Sequence, residues 1–120
     1  MRSESRAAIA YIAGRLVSGR RSSSVFDYAR SKHIHFSGTV EPGRVQIFDY
    51  EISSHISGSG SETSLSLFEY GRGSHIQVTV NGHNFSGFDY GSGTHFSGNV
   101  NGQAVSIFDY GESRHFRYLI

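Results

Sequence analysis

Cysteine and tryptophan are absent from these 120 residues, proline occurs once, and neither sign of charge dominates. Without Cys there is no disulfide framework and no thiolate zinc site. A formal net charge of +1 with no polybasic run gives little electrostatic basis for binding nucleic acid or an anionic membrane. No stretch approaches the roughly 20 apolar residues that a membrane span requires. The apolar run from Ala7 to Val17 is broken by Gly14 and Arg15 and follows Glu4, which reads against a secretory signal. A cytoplasmic protein is the expectation. Glycine, by contrast, is frequent at 15 residues, and this suits many short strands joined by tight turns.

What the chain has in their place is a recurring phrase: Phe26-Asp27-Tyr28, Phe48-Asp49-Tyr50, Phe68-Glu69-Tyr70, Phe88-Asp89-Tyr90 and Phe108-Asp109-Tyr110. The spacings are 22, 20, 20 and 20 residues. A fixed period of this size marks an architecture in which each copy is one supersecondary unit. The phrase holds every Asp of the protein, five of its nine Phe and five of its seven Tyr.

Residues 1–22 stand apart in composition. Ser3 or Ser5 can cap a helix, and Ile9, Ile12, Ala13 and Leu16 fall at i, i+3, i+4 and i+7. The spacing predicts one amphipathic helix ending near Gly19, with Arg15, Arg20 and Arg21 complementing its dipole. Its small residues Ala8, Ala10, Ala13 and Gly14 allow close approach to a sheet, or passage through a barrel. Docking against the repeats is the main expectation, and a membrane-surface anchor is the alternative.

Residues 23–120 alternate two connections. A short polar loop follows each phrase (Gly91-Ser92-Gly93, for example), and half a repeat later comes a tight turn at Pro42-Gly43, Asn81-Gly82 or Asn101-Gly102. Ten short strands follow, at roughly 23–28, 33–40, 44–50, 54–57, 63–70, 74–80, 84–90, 94–100, 104–110 and 114–120. Such short links give an all-β antiparallel meander of five hairpin repeats, either closed like a barrel or radially splayed. With two-residue Asn-Gly turns and three-residue polar loops, equivalent residues would slip by one, so one connection per repeat must carry a bulge or have a different length.

On a strand, the Phe and Tyr of each phrase share one face, while the acidic residue and the residue before Phe share the other. Ten aromatics in register read as the core, with Tyr28, Tyr50, Tyr70, Tyr90 and Tyr110 at its rim, where their hydroxyls reach water or a ligand. A histidine stands six residues after each acid: His33, His55, His75, His95 and His115. His35, within the match of His35-Phe36-Ser37-Gly38 to His95-Phe96-Ser97-Gly98, competes with His33 as the first member. A three-residue loop would set Asp89 across from His95 and Asp109 from His115, each carboxylate fastening its hairpin to imidazole or to loop amides. A convergent set drawn from Glu69, His75, Asp89, His95, Asp109 and His115 is the alternative, because imidazole and carboxylate suit zinc, nickel or copper. No Ser is singled out as a nucleophile among so many, so catalysis is not expected and no cofactor is implied.

The segment Ser106-Ile107-Phe108-Asp109-Tyr110-Gly111-Glu112-Ser113-Arg114-His115-Phe116 and its four relatives resemble the repeats of bacterial β-flower proteins. The resemblance covers residues 23–120 and implies a shallow barrel with hairpin petals, similar in architecture to tubby-like domains. It carries over no functional residue. Phe96-Ser97-Gly98 followed by Gly102 also resembles MORN-type repeats, which would imply an open, elongated sheet. Together these readings lead to a non-enzymatic binding or assembly module for a small molecule or protein. The final strand, ending Arg117-Tyr118-Leu119-Ile120, would pair with the first strand or with a second copy of the chain.

Overall fold

In the computed structural model, which describes residues 1–120, every repeat is a β-hairpin and the hairpins close into a ring. The helix α1 spans Ser3–Ser18. Ten strands follow: β1 Ser24–Asp27, β2 Lys32–Glu41, β3 Arg44–Asp49, β4 Ser54–Gly60, β5 Ser64–Glu69, β6 Ser74–Asn81, β7 Asn84–Asp89, β8 Thr94–Asn101, β9 Ala104–Asp109 and β10 Arg114–Leu119. Each pairs antiparallel with its sequence neighbours, and β10 pairs with β1 through Phe26 opposite Leu119 and Asp27 opposite Tyr118. The sheet is a closed barrel, not an open ribbon. The last strand therefore presents no free edge to a second copy.

The tight turns and polar loops settle the register. Asn81 pairs with Asn84, so the turn is centred on Gly82-His83 and not on Asn81-Gly82; Gly82 takes a φ of 63° at the first central position. Asp89 pairs with Thr94, which leaves Tyr90 to Gly93 as the loop, one residue longer than the three expected. With both changes, equivalent residues of successive repeats are offset by two along the sheet, an even step that keeps every side chain on its face. Ile47 thus pairs with Ile56, and Ile56 in turn with Glu69.

The two extra residues of the first repeat lie inside β2, not in the loop before it. On the β1 side His33 pairs with Phe26, as His95 does with Phe88; on the β3 side Phe36 pairs with Asp49, as Phe96 does with Asp109. Both His33 and His35 are thus half right as the first member of the register.

The sidedness of the aromatics is the reverse of the expectation. The core is built from the other face, by Val25, Ile34, Val45, Ile47, Ile56, Leu65, Leu67, Ile76, Val105 and Ile107, all at most 2% exposed. The Phe of each phrase is half-buried on the outer wall and the Tyr is exposed. The reason is the helix. α1 runs through the barrel and is buried on all sides from Ser5 to Gly14, so it is not amphipathic in its setting. Beside Ala7, Ala8, Ala10 and Ala13 the remaining space is taken by the aliphatic side chains of the wall together with Phe36, Phe85, Phe96, Phe116 and Tyr118, all at most 6% exposed, which leaves none for the five Phe of the phrases. Tyr11 is the one aromatic side chain of α1 and stacks on Phe36 at 4.3 Å. The N-cap is Arg2 and no side chain caps the helix; Ser5 instead donates to Glu69, and Gly19 closes the other end with a φ of 72°. The apolar side chains of α1 from Ala7 to Ala13 are enclosed by the barrel, and Leu16 and Val17 are partly buried.

Closing so small a ring bends the strands sharply, and Gly38 marks one bend. Its φ is 111°, and a Cβ there would come within 2.1 Å of the Gln46 carbonyl oxygen.

Candidate functional site

Two rings of side chains encircle the barrel, one inside and one outside. The inner ring consists of Asp27, Asp49, Glu69, Asp89 and Asp109, each at most 1% exposed at the mouth where α1 begins. In four of the five repeats the carboxylate accepts the N–H two residues on: Ala29 to Asp27, Glu51 to Asp49, Gly91 to Asp89 and Gly111 to Asp109, at 2.9–3.0 Å. This Asx turn explains the preference for Asp, whose short side chain reaches back to its own loop. The positive end of the helix dipole lies at the same mouth.

Cations complete the ring. Arg6 and the Met1 ammonium meet Asp109 at 2.9 and 3.3 Å; Arg72 bridges Glu69 and Asp89 at 3.2 and 3.3 Å; Arg30 meets Asp27 at 2.7 Å and Glu51 at 2.8 Å. Burial pushes the Asp109 carboxyl up, but Arg6, the ammonium and the Gly111 N–H together hold it below the usual carboxylate range. Burial outweighs the help of Ser5 and Arg72 at Glu69, whose carboxyl is raised. Asp49 has no cationic partner. Its Oδ2 accepts no hydrogen bond, and burial, reinforced by Glu51 and Glu69, pushes it up to about 6.

The outer ring is the aromatic belt. Antiparallel pairing sets each Phe opposite the His of the next strand, Phe48 to His55, Phe68 to His75, Phe88 to His95 and Phe108 to His115, with Phe26 to His33 completing the circuit. The rings of each pair meet edge to face, 4.6–4.9 Å between centroids. Each Phe also takes its own Tyr edge to face at 4.8–5.0 Å. The tyrosines are anchored to the neighbouring hairpin through the backbone: Tyr70 N–H donates to the His55 carbonyl, Tyr90 to His75 and Tyr110 to His95, at 3.0–3.2 Å. Their phenols stand out over serines of the preceding repeat, Tyr50 over Ser37, Tyr70 over Ser57 and Tyr110 over Ser97, at 3.2–3.5 Å. The five tyrosines are 53–64% exposed.

Between neighbouring petals the belt opens into grooves. One of about 630 Å³ has Phe48 and His55 along one side and Tyr70 along the other, with Ser37, Gln46 and Ser57 among its polar groups. A smaller one of about 270 Å³ lies beside Phe108 and His115, with Ser97 and Asn99. Neither lining contains an Asp, Glu, Lys or Arg side chain.

The sequence-derived candidates therefore separate. Tyr28, Tyr50, Tyr70, Tyr90 and Tyr110 share one belt, but as an outer girdle and not as the rim of an aromatic core. Glu69, Asp89 and Asp109 point inward while His75, His95 and His115 point outward, so the carboxylate–imidazole pairing across the loop does not form. The partner opposite Asp89 is Thr94, and the one opposite Asp109 is Arg114. Of the two fastenings considered for the hairpins, carboxylate to loop amide is the one present. No three His, Asp or Glu side chains gather in a way that could hold a metal ion. No family model, curated protein or solved structure matches the chain.

Proposed function

We propose that the protein is a non-enzymatic binding module that recognises neutral, hydroxyl-rich ligands, of the oligosaccharide class, on its outer wall. The observation that carries this reading is the exposure of five tyrosines in register, each beside an edge-to-face Phe–His pair and a row of hydroxyl and amide side chains. Aromatic rings offer flat apolar faces to the C–H faces of a sugar, while Ser, Gln, Asn and the free imidazole nitrogens supply hydrogen bonds that fix orientation. Two of the grooves have uncharged linings and the one beside Tyr28 has Arg117 as its single charged group, which favours a neutral ligand over an ionic one. Grooves of about 630, 550 and 270 Å³ spaced around one barrel suit a repetitive chain, because several weak contacts on one polymer reinforce one another.

The interior supports the same conclusion by elimination, since the helix and the apolar side chains of the wall fill it. The closed ring of hairpin petals around a threaded helix also supports reading the chain as β-flower-type. Calorimetric titration of the full chain with cellohexaose and chitohexaose tests the proposal. Saturable binding that weakens at least tenfold in a Tyr50→Ala, Tyr70→Ala double variant is expected. Binding of neither sugar, or binding indifferent to the tyrosines, would refute it.

A further inference from the structure

The mouth opposite the carboxylate ring has the opposite character. After Gly19 the chain turns through Arg20 and Arg21 toward β1, and a recess of about 520 Å³ opens between this turn and the Thr39–Pro42 end of the first hairpin. Arg15, Arg20 and Arg21 all line it. A volume of this size is that of a small-ligand pocket.

The recess is held in shape from within. The hydroxyl of Tyr11 accepts from Arg15 Nη1 at 2.9 Å and donates to the Ser22 carbonyl at 2.7 Å. One buried phenol, itself stacked on Phe36, thus fixes the Arg15 guanidinium and the backbone that follows Arg21. Arg15, Arg20 and Arg21 take part in no ion pair. Glu41 is the one carboxylate in the lining, and it faces Arg44 at 3.6 Å. The helix's terminal carbonyls would repel an anion, but Arg15 O is occupied by the Gly19 N–H at 2.9 Å, and Ser18 Oγ donates to Gly14 O one turn back at 2.6 Å.

Three arginines therefore line one concave site without a counterion of their own. Their mutual repulsion raises the energy of the empty site, and an oxyanion relieves it while matching the planar donor forks. We propose that this recess binds a phosphate-type oxyanion, with Arg15 as the fixed contact and Arg20 and Arg21 closing over the ligand. This chemistry reaches the site either as a soluble phosphate ester or as a phosphomonoester lipid headgroup. It does not depend on the outer belt, none of whose tyrosines lines this recess.

Pyrophosphate titrated into the full chain by calorimetry tests the inference. One-site saturable binding is expected, weakened at least tenfold in an Arg20→Gln, Arg21→Gln double variant and in Arg15→Gln, and unchanged in Arg117→Gln on the outer wall. Arg20 and Arg21 are exposed, so the double variant leaves the core intact. Phosphatidylcholine vesicles with and without phosphatidic acid identify the source. Phosphatidic acid vesicles that bind and displace pyrophosphate point to a headgroup, and pyrophosphate binding without vesicle binding points to a soluble ester. Failure of pyrophosphate to saturate, or equal affinity in the wild type and the Arg20→Gln, Arg21→Gln variant, would overturn the inference.

Discussion

Replacing Asp49 with Asn is expected to stabilise the protein at neutral pH, although the side chain is fully buried and takes part in the loop. Asp49 is the one member of the inner ring without a cationic partner, and its Oδ2 accepts nothing. Its carboxyl is raised from 3.8 to about 6, first by burial and then by the neighbouring Glu51 and Glu69. A raised carboxyl pKa means that the folded state holds the proton more tightly than the unfolded chain does. Stability is therefore greatest below the unfolded value, falls as pH rises through the interval up to about 6, and carries the full penalty above it. At about 1.4 kcal/mol per unit the shift corresponds to a penalty of about 3 kcal/mol at pH 7.5. Asn keeps the acceptor for the Glu51 N–H and removes the charge, but leaves a buried amide that costs about 1 kcal/mol if unpaired. The net gain is about 1–3 kcal/mol at pH 7.5, with little or no gain at pH 4. Urea unfolding of both proteins at the two pH values, followed by circular dichroism, measures the difference, and carboxyl NMR locates the titration directly. A variant less stable than wild type at pH 7.5, or a difference independent of pH, would refute the reasoning.

Arg72→Met removes the bridge between Glu69 and Asp89 and leaves two buried carboxylates facing each other; a loss of about 3–5 kcal/mol at pH 7 is expected from the same unfolding assay. Gly38→Ala places a Cβ against the Gln46 carbonyl at a φ that L-residues avoid, so a loss of about 2–4 kcal/mol is expected, read as a lower urea midpoint with an unchanged slope. Tyr90→Ala trims an exposed ring at the outer wall and is expected to cost less than about 1.5 kcal/mol, the size of one aromatic pair, which makes the belt open to functional mutation.

The hairpin plan was legible because the Phe-acid-Tyr phrase fixes the period and which residues share a face, though not which face is inside, and because Pro42-Gly43 and the Asn-Gly pairs mark the turns. The inside of the barrel was not. Five Phe in register read as a core until the volume of a threaded helix is counted, and Asp on the inward face contradicts ordinary burial preference. A signal for the latter did exist: Arg30 stands three residues after Asp27 and Arg72 three after Glu69, the spacing that lets a guanidinium turn back onto a carboxylate. The Ala-rich face of α1 admitted passage through a barrel, but nothing local distinguishes that from packing outside. The basic recess depends on Tyr11 reaching Ser22, a contact between residues that no repeat pattern relates.

Native-state hydrogen exchange at the α1 amides tests the enclosed helix most directly, and with it the assignment of function to the outside of the barrel. If α1 fills the interior, the amides of Ala10 to Gly14 can open only when the barrel does, and their exchange free energy will equal the global unfolding free energy from urea. Exchange of these amides by a much cheaper local opening, while β3 and β4 stay protected, would show that the barrel does not need the helix inside it and would contradict the account.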